Sequence, residues 1–430
     1  MLNQFHDILP GSSIAVVNDE AVAAYGFIRA RLEDIIERAI SALSRHGATP
    51  LVFNAAPHER DGVAALGAAP VLPAAGSARA IDGNILENDR LRVTLDEDGH
   101  IASLIDLVRG REVLPPGMCG NVLQLHPDVP NKWPAWDIDA FYRNRRTDLG
   151  APGRVTVLSE GPHEAAIEVE YSFGSSRAVQ VLRLAAGSGV LEMETEVDWD
   201  EKDRLLKVAF PVDVHATYST SEVQFGHLQR PAHSNTSWDA ARFEFVAHRF
   251  IHVGEGDYGA ALVNAGTYGH DVLPLERRGG GRAVVARLSL VRGPTFPDPR
   301  SDKGVHRFRY GIVPGATISD AVREGYRFNL PPRAASGQAG VVPLVSLSNP
   351  AVVVEAVKAA DDRSGDVVVR CYESLGGRSA TTVSAPFPIA GAWTTDLLER
   401  PTEQLEIQGA NEIGLCLRPF QVVTLRLSRK

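Results

Sequence analysis

In the stretch Leu191-Glu-Met-Glu-Thr-Glu-Val-Asp-Trp199, acidic side chains alternate with apolar ones or threonine. Ile167–Phe173 repeats the same alternation. Successive side chains of a β-strand point to opposite faces, so a period of two predicts strands with one buried and one solvent-facing side. Apolar residues also alternate with polar ones in Leu91–Leu95, ahead of the turn sequence Asp96-Glu-Asp-Gly99, and Ile101, Leu104 and Leu107 follow on the return, which predicts a hairpin. The centre of the chain therefore predicts antiparallel β-structure.

Two stretches rich in Ala, Gly and Pro divide the chain, Gly62–Gly83 and Pro331–Gly340. This composition is typical of linkers, or of a shortened small domain in the first case. Strand signals continue between them to about Phe328, and Val352–Val357 and Val367–Tyr372 predict strands of a small sandwich. The predicted organisation is a helical region 1–50, a linker or shortened β region 51–84, a large β domain 85–330 and a small β-sandwich 341–430.

One long helix is predicted from Asp19 to Arg45. Asn18 is the expected N-cap, and Arg45-His46-Gly47 is a C-terminal signal. The apolar residues of this segment follow a helical spacing: Ile28, Leu32, Ile35, Ala39 and Leu43. A single apolar stripe needs a partner, and the chain predicts no second long helix. We therefore expect the partner in sequence outside these residues, so that 1–50 would be the remnant of a helical bundle.

Composition excludes several classes of function. Hydrophobic residues make up 44% of the 430 residues, and the net charge of −9 disfavours nucleic acid and anionic membranes as partners. No apolar run reaches the roughly 18 residues that a membrane span needs. The three cysteines, Cys119, Cys371 and Cys416, are scattered, which is typical of a reducing compartment and predicts a cytoplasmic protein.

His6-Asp7 is the first candidate site, on a Pro-Gly loop that leads into the helix. The pair could ligate a metal or bind a polar ligand, or His6 could simply be solvated. Phe5, Ile8 and Leu9 beside it predict burial, which slightly favours binding of a metal or polar ligand over a solvated histidine. One histidine and one aspartate are too few for a zinc site, which takes three or four ligands.

Three further segments carry polar or aromatic clusters. Phe225–Glu244, which includes Trp238, and Trp133–Tyr142 have the aromatic and polar mixture of a sugar-binding surface. An ordered loop is favoured for the first segment and an aromatic core plug for the second. Leu290–His306 contains Arg292, Asp298, Asp302 and His306, with prolines that favour a loop of turn and salt-bridge residues over a helical metal site. No phosphate-binding loop and no nucleophile elbow is present in the sequence.

Taken together, segments along nearly the whole chain resemble the family 38 glycoside hydrolases, the retaining, metal-dependent α-mannosidases. The segments that carry the resemblance are Gln4–Ser13, Asn121–Ile138, Leu205–Pro211, Gln229–Pro231 with Asn235–Asp239, Pro297–Asp298 with Asp302–His306, Val354–Lys358 and Asp396–Glu399.

The resemblance implies a mainly β fold: an N-terminal helical stub left from a three-helix bundle, a large antiparallel supersandwich like that of galactose mutarotase, and a small C-terminal β-sandwich. It also implies that His6 is one zinc ligand and that Asp7 hydrogen-bonds the hydroxyls of a bound mannose. Arg292 is expected to approach the sugar from the β domain. The intact enzyme would therefore use zinc, and this chain would bind it weakly or not at all.

The resemblance assigns no catalytic residue to this chain, because the family's catalytic barrel, with its nucleophile and its metal motif, precedes the His-Asp segment. Retaining hydrolysis needs two carboxyl groups about 5–5.5 Å apart, one of them the nucleophile. We therefore expect the C-terminal part of an α-mannosidase, inactive alone, whose partners are a mannoside or oligosaccharide and the catalytic domain in cis or in trans. The alternatives are a non-catalytic carbohydrate-binding or scaffold module and one half of a split mannosidase, and homo-oligomerisation is left open.

Overall fold

The computed structural model describes residues 2–45, 47–72 and 75–429. His46, part of the predicted helix end, and Pro73–Ala74, in the first Ala/Gly/Pro-rich stretch, lie outside the described residues. The chain divides into two compact units, a larger one of residues 1–35, 74–221 and 229–317 and a smaller one of residues 36–73, 222–228 and 318–430. Within the described part of the chain, every helix is too short or too polar to cross a lipid bilayer.

The helices are α1 (Ala15–Ser44), α2 (Ser237–Ala241) and α3 (Ile318–Asn329), with short 3-10 turns at Leu2–Gln4 and Ala140–Asn144. Helix α1 confirms the predicted long helix but begins before it, so Asn18 lies inside the first turn and its assignment as N-cap is wrong. The predicted apolar stripe of α1 is solvent-exposed, including Ile28, Leu32 and Ile35.

The strands of the first half are β1 (Thr49–Asn54), β2 (Gly67–Pro70), β3 (Ala78–Ile81), β4 (Ile85–Asn88), β5 (Leu91–Leu95), β6 (Ile101–Asp106), β7 (Arg111–Glu112), β8 (Val122–Pro127), β9 (Thr147–Asp148), β10 (Arg154–Glu160), β11 (Glu164–Phe173), β12 (Ser176–Ala185), β13 (Leu191–Trp199) and β14 (Arg204–Val212). Those from Tyr218 to Gly337 are β15 (Tyr218–Val223), β16 (Gly226–Pro231), β17 (Phe245–Val246), β18 (Phe250–Glu255), β19 (Tyr258–Asn264), β20 (Gly269–Glu276), β21 (Arg282–Arg292), β22 (Gly304–Pro314) and β23 (Arg333–Gly337). The last are β24 (Ser346–Leu347), β25 (Val352–Ala359), β26 (Val367–Glu373), β27 (Ser379–Ser384), β28 (Ile389–Thr395), β29 (Pro401–Gln404), β30 (Ile407–Gln408), β31 (Glu412–Leu417) and β32 (Val422–Arg429).

The larger unit is built on antiparallel sheets that share one core. One sheet has the order β10-β11-β12-β13-β22-β19-β18-β15-β16, a second has β17-β20-β21-β14-β8-β9, and a third has β3-β4-β5-β6-β7. Strand β13 confirms the alternation of its sequence, because Leu191, Met193 and Trp199 are buried while the acidic residues between them face outward. The inward faces of all three sheets contribute to a single hydrophobic cluster.

The smaller unit contains the predicted β-sandwich. A four-stranded sheet, β24-β27-β31-β30, packs against a five-stranded one, β25-β26-β32-β28-β29, and both supply residues to one hydrophobic cluster. A separate three-stranded sheet has the order β2-β1-β23. The predicted fold class, mainly β with an N-terminal helix, a large antiparallel region and a C-terminal β-sandwich, is confirmed.

Besides the N-cap of α1, two local predictions are wrong. The strand signals expected up to Phe328 give way to helix α3, whose buried residues Ala321, Val322 and Tyr326 recur at helical spacing. The second predicted linker, Pro331–Gly340, contains strand β23, which pairs with β1. Its small residues are needed for packing, because a side chain at Gly337 would lie 2.5 Å from the Ser44 carbonyl oxygen.

A buried ionic cluster joins the strands of the second sheet. Lys207 on β14 is fully buried, and its Nζ lies 3.2 Å from Asp271 on β20 and 2.7 Å from Glu244. Arg287 on β21 donates from Nε to Asp271 at 2.9 Å, and Arg143 reaches the same carboxylate at 2.8 Å. Burial raises the pKa of Asp271, but the surrounding cations outweigh it and lower that pKa to about 2.

Replacement of Asp271 by Asn removes the carboxylate that pairs with Arg287 and leaves Lys207 with Glu244 as its carboxylate partner. We expect it to lower the free energy of unfolding of the larger unit by about 3–5 kcal/mol. The folded pKa of Asp271 lies below its unfolded value of ~3.9, so its contribution is complete above that pH and is lost as pH falls toward 2. Urea unfolding at neutral and acidic pH measures both effects. The control is Asp200→Asn, which removes the exposed ion pair with Lys303 and should change stability little. An Asp271→Asn protein as stable as wild type at neutral pH would contradict this account.

Candidate functional site

The His-Asp segment forms a compact turn ahead of α1. The amide of Leu9 donates to the Phe5 carbonyl at 3.0 Å, and Gly11 has a φ of +77°, which lets the chain reverse before the helix. The hydroxyl of Tyr25, on α1, donates to the Asn3 carbonyl at 2.9 Å. These contacts hold residues 2–13 against the first turns of the helix.

Asp7 is the most constrained side chain of this segment. Its Oδ1 accepts a hydrogen bond from the indole Nε1 of Trp136 at 2.9 Å and one from the Ser12 hydroxyl at 3.2 Å. Its Oδ2 lies 3.3 Å from Nε2 of His6. The Trp136 hydrogen bond is the main cause of a lowered pKa at Asp7, with Ser12 and His6 acting in the same direction against burial. Asp7 is therefore an ionised hydrogen-bond acceptor whose Oδ1 is held in place by Trp136 and Ser12.

Trp136 lies on the loop that follows β8, and Arg292 holds this loop. The Nε of Arg292, at the end of β21, donates to Oδ2 of Asp128 at 2.6 Å, and its second nitrogen donates to the carbonyls of Pro134 and Asp137. Asp128 is only 3% exposed. The N–H groups of a planar guanidinium can donate to several acceptors at once, so Arg292 holds the loop in place through Asp128 and the two carbonyls.

A second loop, 293–303, closes the other side of the segment. The Asn18 amide donates to the buried Asp298 carboxylate at 3.2 Å, and Arg300 pairs with Asp19 at 3.3 Å. On this loop Phe296 lies with its ring centroid 6.3 Å from that of Trp136, and Trp133 lies at the same distance on the other loop. Since Trp133, Trp136 and Phe296 are 57%, 45% and 52% exposed, they form an open aromatic surface beside Asp7.

The surroundings of the predicted site residues differ in part from those expected. His6 was expected to be buried, but its side chain is 78% exposed, and Phe5 and Leu9 beside it are exposed as well. None of the hydrogen bonds described above joins Asp7 to Arg292. Trp136 links the two residues, because Arg292 holds the loop that carries Trp136 and Asp7 accepts a hydrogen bond from the Trp136 indole. The assignments of His6 to zinc and of Asp7 and Arg292 to sugar stay predictions.

His6 alone does not make a zinc site. Zinc takes three or four ligands, and among the described residues no group of three His, Cys, Asp or Glu ligand atoms close enough to share an ion includes His6. His6 with Asp7 can therefore contribute to a site but not complete one. One such group does occur elsewhere in the same unit, formed by Asp96, His100 and Cys119.

The other candidate segments are occupied by their own structure. His306 lies on β22, and its Nε2 contacts the Asp302 carbonyl at 2.6 Å, as expected for a turn and not for a metal pair. In the segment from Phe225 to Glu244, Thr236 and Asp239 form a reciprocal capping box at the start of α2, which favours the ordered-segment interpretation, although Trp238 is exposed.

An open pocket of about 760 Å³ lies near the end of β8. It is basic, and its lining includes Arg143, Arg145, Arg146 and Arg204. His6, Asp7 and Arg292 are not among its lining residues. A pocket of this charge suits an anion better than a neutral sugar, so it does not compete with the surface around Asp7 as a sugar site.

Sequence reasoning missed how this surface is assembled. Asp128 and the indole donor of Trp136 decide the geometry, yet Asp128 lies 164 residues before Arg292, and Trp136 lies 129 residues after Asp7. No local spacing connects residues so far apart. The available signal was the Ala-Trp-Asp-Ile stretch itself, for which an aromatic core plug was favoured over a sugar platform. The two tryptophans are instead exposed, and Trp136 supplies a hydrogen bond to Asp7.

Comparison with known families gives two matches. Residues 86–300 match the model of the glycosyl hydrolases family 38 C-terminal domain, and residues 351–425 match that of the family 38 C-terminal beta sandwich domain. The chain is 35% identical over 99% of its length to α-mannosidase 2C1 of Homo sapiens, and 28% identical over 99% to an α-mannosidase of Saccharomyces cerevisiae. It spans 44% and 43% of those two proteins, which is less than half of their length.

Among solved structures, an α-mannosidase of Enterococcus faecalis superposes with a TM-score of 0.69 at 16% identity, covering 86% of this chain and 46% of that one. A second family 38 protein of Enterococcus faecalis gives a TM-score of 0.67 over 85% of this chain and 47% of its own. At this level of identity the likeness establishes a shared fold.

Replacement of Trp136 by Phe removes the indole donor but keeps the aromatic ring, and we expect the pKa of Asp7 to rise toward its ordinary value. An NMR titration of the Asp7 carboxyl carbon measures this shift. The matched control is Trp133→Phe, a neighbouring exposed tryptophan whose ring packs on Trp136. An unchanged pKa in Trp136→Phe, or an equal rise in both variants, would show that the indole hydrogen bond does not set the ionisation of Asp7.

Proposed function

Because this chain belongs to the family 38 glycosyl hydrolases, we propose that it forms the C-terminal region of an α-mannosidase that removes terminal α-linked mannose with retention of configuration. The observation that carries the proposal is the sequence identity of 35% and 28% to two α-mannosidases, which extends over 99% of the chain. The relatives are more than twice as long as the region matched, so the proposed reaction belongs to a larger assembly.

The proposed role of this chain in that assembly is to bind the sugar. Asp7 is ionised, and its Oδ2 is free of the two donors that occupy Oδ1. A carboxylate of this kind accepts hydrogen bonds from neighbouring hydroxyls of a pyranose, and charged acceptors make the stronger bonds. The exposed rings of Trp133, Trp136 and Phe296 offer flat apolar surface to the C–H groups of the same sugar.

Arg292 acts in this proposal mainly as a positioning residue. Its Nε and one terminal nitrogen are committed to Asp128 and to loop carbonyls, so contact with the sugar is limited to its remaining nitrogen. Its loss would move Trp136 and so disturb Asp7, and at most one direct contact with the sugar would be removed.

Zinc enters the proposal through His6, which would supply one ligand. The nucleophile and the other zinc ligands are assigned to sequence that the family resemblance places before the His-Asp segment. We therefore infer that the 430 residues alone bind zinc at His6 weakly at most and do not hydrolyse mannosides, since retaining hydrolysis needs both carboxyl groups.

The test is hydrolysis of p-nitrophenyl α-mannoside, with and without added zinc, by two proteins. The first is the 430-residue chain, which should show no turnover. The second joins to its N-terminus the part of α-mannosidase 2C1 that precedes the matched region, and it should hydrolyse the mannoside with retention, followed by proton NMR of the first product. Turnover by the short chain would contradict the proposed inactivity.

In the extended protein, Asp7→Asn should lower kcat/KM about 30- to 150-fold, the loss expected for a charged hydrogen bond of about 2–3 kcal/mol. Asp200→Asn, which replaces an exposed aspartate on the β domain, is the matched control and should leave kcat/KM unchanged. A wild-type kcat/KM in Asp7→Asn would contradict the sugar-binding role, and faster hydrolysis of other aryl glycosides than of the mannoside would contradict the substrate class.

A further inference from the structure

Three ligand-type side chains, none of them part of the surface around Asp7, meet at the hairpin between β5 and β6. Asp96 and His100 lie at the two ends of the turn, and Cys119 lies in the loop that precedes β8. The Cys119 Sγ is 3.4 Å from Oδ2 of Asp96, and Nδ1 of His100 is 3.8 Å from the same oxygen. All three ligand atoms lie within 4.8 Å of one another.

The backbone holds these residues in place. Residues Ile101 and Gly120, next to His100 and Cys119 in the chain, exchange backbone hydrogen bonds at 3.0 and 2.8 Å, which fixes the turn beside the loop. Position 99 of the turn requires glycine, because a side chain there would lie 2.5 Å from Val169 and the φ of this residue is +77°. The positions of the ligand atoms are therefore set by structure that does not depend on an ion.

The histidine is oriented as metal-binding histidines are. The Nε2 of His100 lies 2.6 Å from the Leu149 carbonyl oxygen, which can only accept, so Nε2 carries the proton. The lone pair of the other ring nitrogen, Nδ1, is therefore left to face Asp96 and Cys119. A backbone carbonyl that fixes the distal N–H of an imidazole is the usual outer partner of a histidine ligand.

Hydrogen bonds to the backbone also orient the Asp96 carboxylate. Its Oδ1 accepts the backbone amides of Asp98 and His100 at 3.0 and 2.9 Å, which closes the turn. Its Oδ2 is left to face the thiol and the imidazole. The site is half open, because the Asp96 side chain is 27% exposed while that of His100 is 10% exposed, so an ion can enter from solvent.

From these contacts we propose that Asp96, His100 and Cys119 bind a zinc-class divalent cation with a water molecule as fourth ligand. Thiolate, imidazole and carboxylate are all zinc ligands, and a tetrahedral ion with bonds of about 2.1–2.3 Å places its ligand atoms about 3.4–3.7 Å apart. The observed separations of 3.4 and 3.8 Å are close to this spacing. On binding, the Cys119 thiol releases its proton to solvent and the sulfur bonds to the ion.

A role as a reactive thiol is disfavoured. Burial, together with the neighbouring Asp96, raises the pKa of Cys119 to about 11, so without a cation the sulfur stays protonated and is a poor nucleophile. A bound ion would instead join the hairpin turn, the loop before β8 and, through His100, the backbone at Leu149. We therefore assign the site a stabilising role in the larger unit.

Cobalt(II) is the probe that tests this site, because a thiolate ligand gives an intense near-ultraviolet charge-transfer band. The reduced, metal-free chain should develop this band with one equivalent of cobalt and lose it on addition of zinc. Cys119→Ser should abolish the band, and His100→Gln should weaken cobalt binding at least tenfold. Cys416→Ser is the matched control, since Cys416 is an exposed free cysteine, and it should keep the band.

Two further measurements separate this site from His6 and from loss of folding. His6→Ala should leave the band intact, because His6 has no part in the cluster. Circular dichroism in EDTA checks that each variant is folded. Zinc at about 100 times its dissociation constant should raise the melting temperature of wild type by the order of 5 °C, but not that of Cys119→Ser. A wild-type chain with no charge-transfer band, or a band that persists in folded Cys119→Ser, would overturn the proposal.

Discussion

The ion pair between Arg292 and Asp128 is the interaction on which the surface around Asp7 depends. Strands β8 and β21 both flank β14, and Asp128 directly follows the one while Arg292 ends the other. The sheet therefore brings the two charges together, and burial of Asp128 makes a partner obligatory, because an unpaired buried carboxylate is costly. The same guanidinium fixes the carbonyls of the loop that carries Trp136, which in turn directs the carboxylate of Asp7.

Local features of the fold could be predicted from the sequence. The hairpin at Asp96–Gly99 and strand β13 were predicted because their turn chemistry and alternation lie within a few residues. Helix α3 was missed, although Ala321, Val322 and Tyr326 recur at helical spacing, because the strand signals before it were extended to about Phe328. Strand β23 was missed because its small residues, required by close packing, have the composition of a linker.

The candidate site was predicted only in part. His6 and Asp7 were singled out from the sequence and given roles by resemblance, and those roles stay predictions. The exposure of His6 differs from the expectation, since apolar neighbours in sequence need not be buried. The roles of Asp128, Trp136 and Arg292 depend on contacts across more than a hundred residues, which only the sheet order reveals. The cluster of Asp96, His100 and Cys119 joins a local pair to a distant cysteine and was likewise invisible to spacing.

The central claim is that Arg292 acts on Asp7 through Trp136. A double-mutant cycle of Arg292→Met and Trp136→Phe, with the pKa of Asp7 measured by NMR, tests it most directly. We predict that Arg292→Met raises this pKa when Trp136 is present and has no further effect in the Trp136→Phe background. Equal shifts in both backgrounds would mean that the charge of Arg292 acts through space, and no shift in either would mean that the loop holds its position without Arg292.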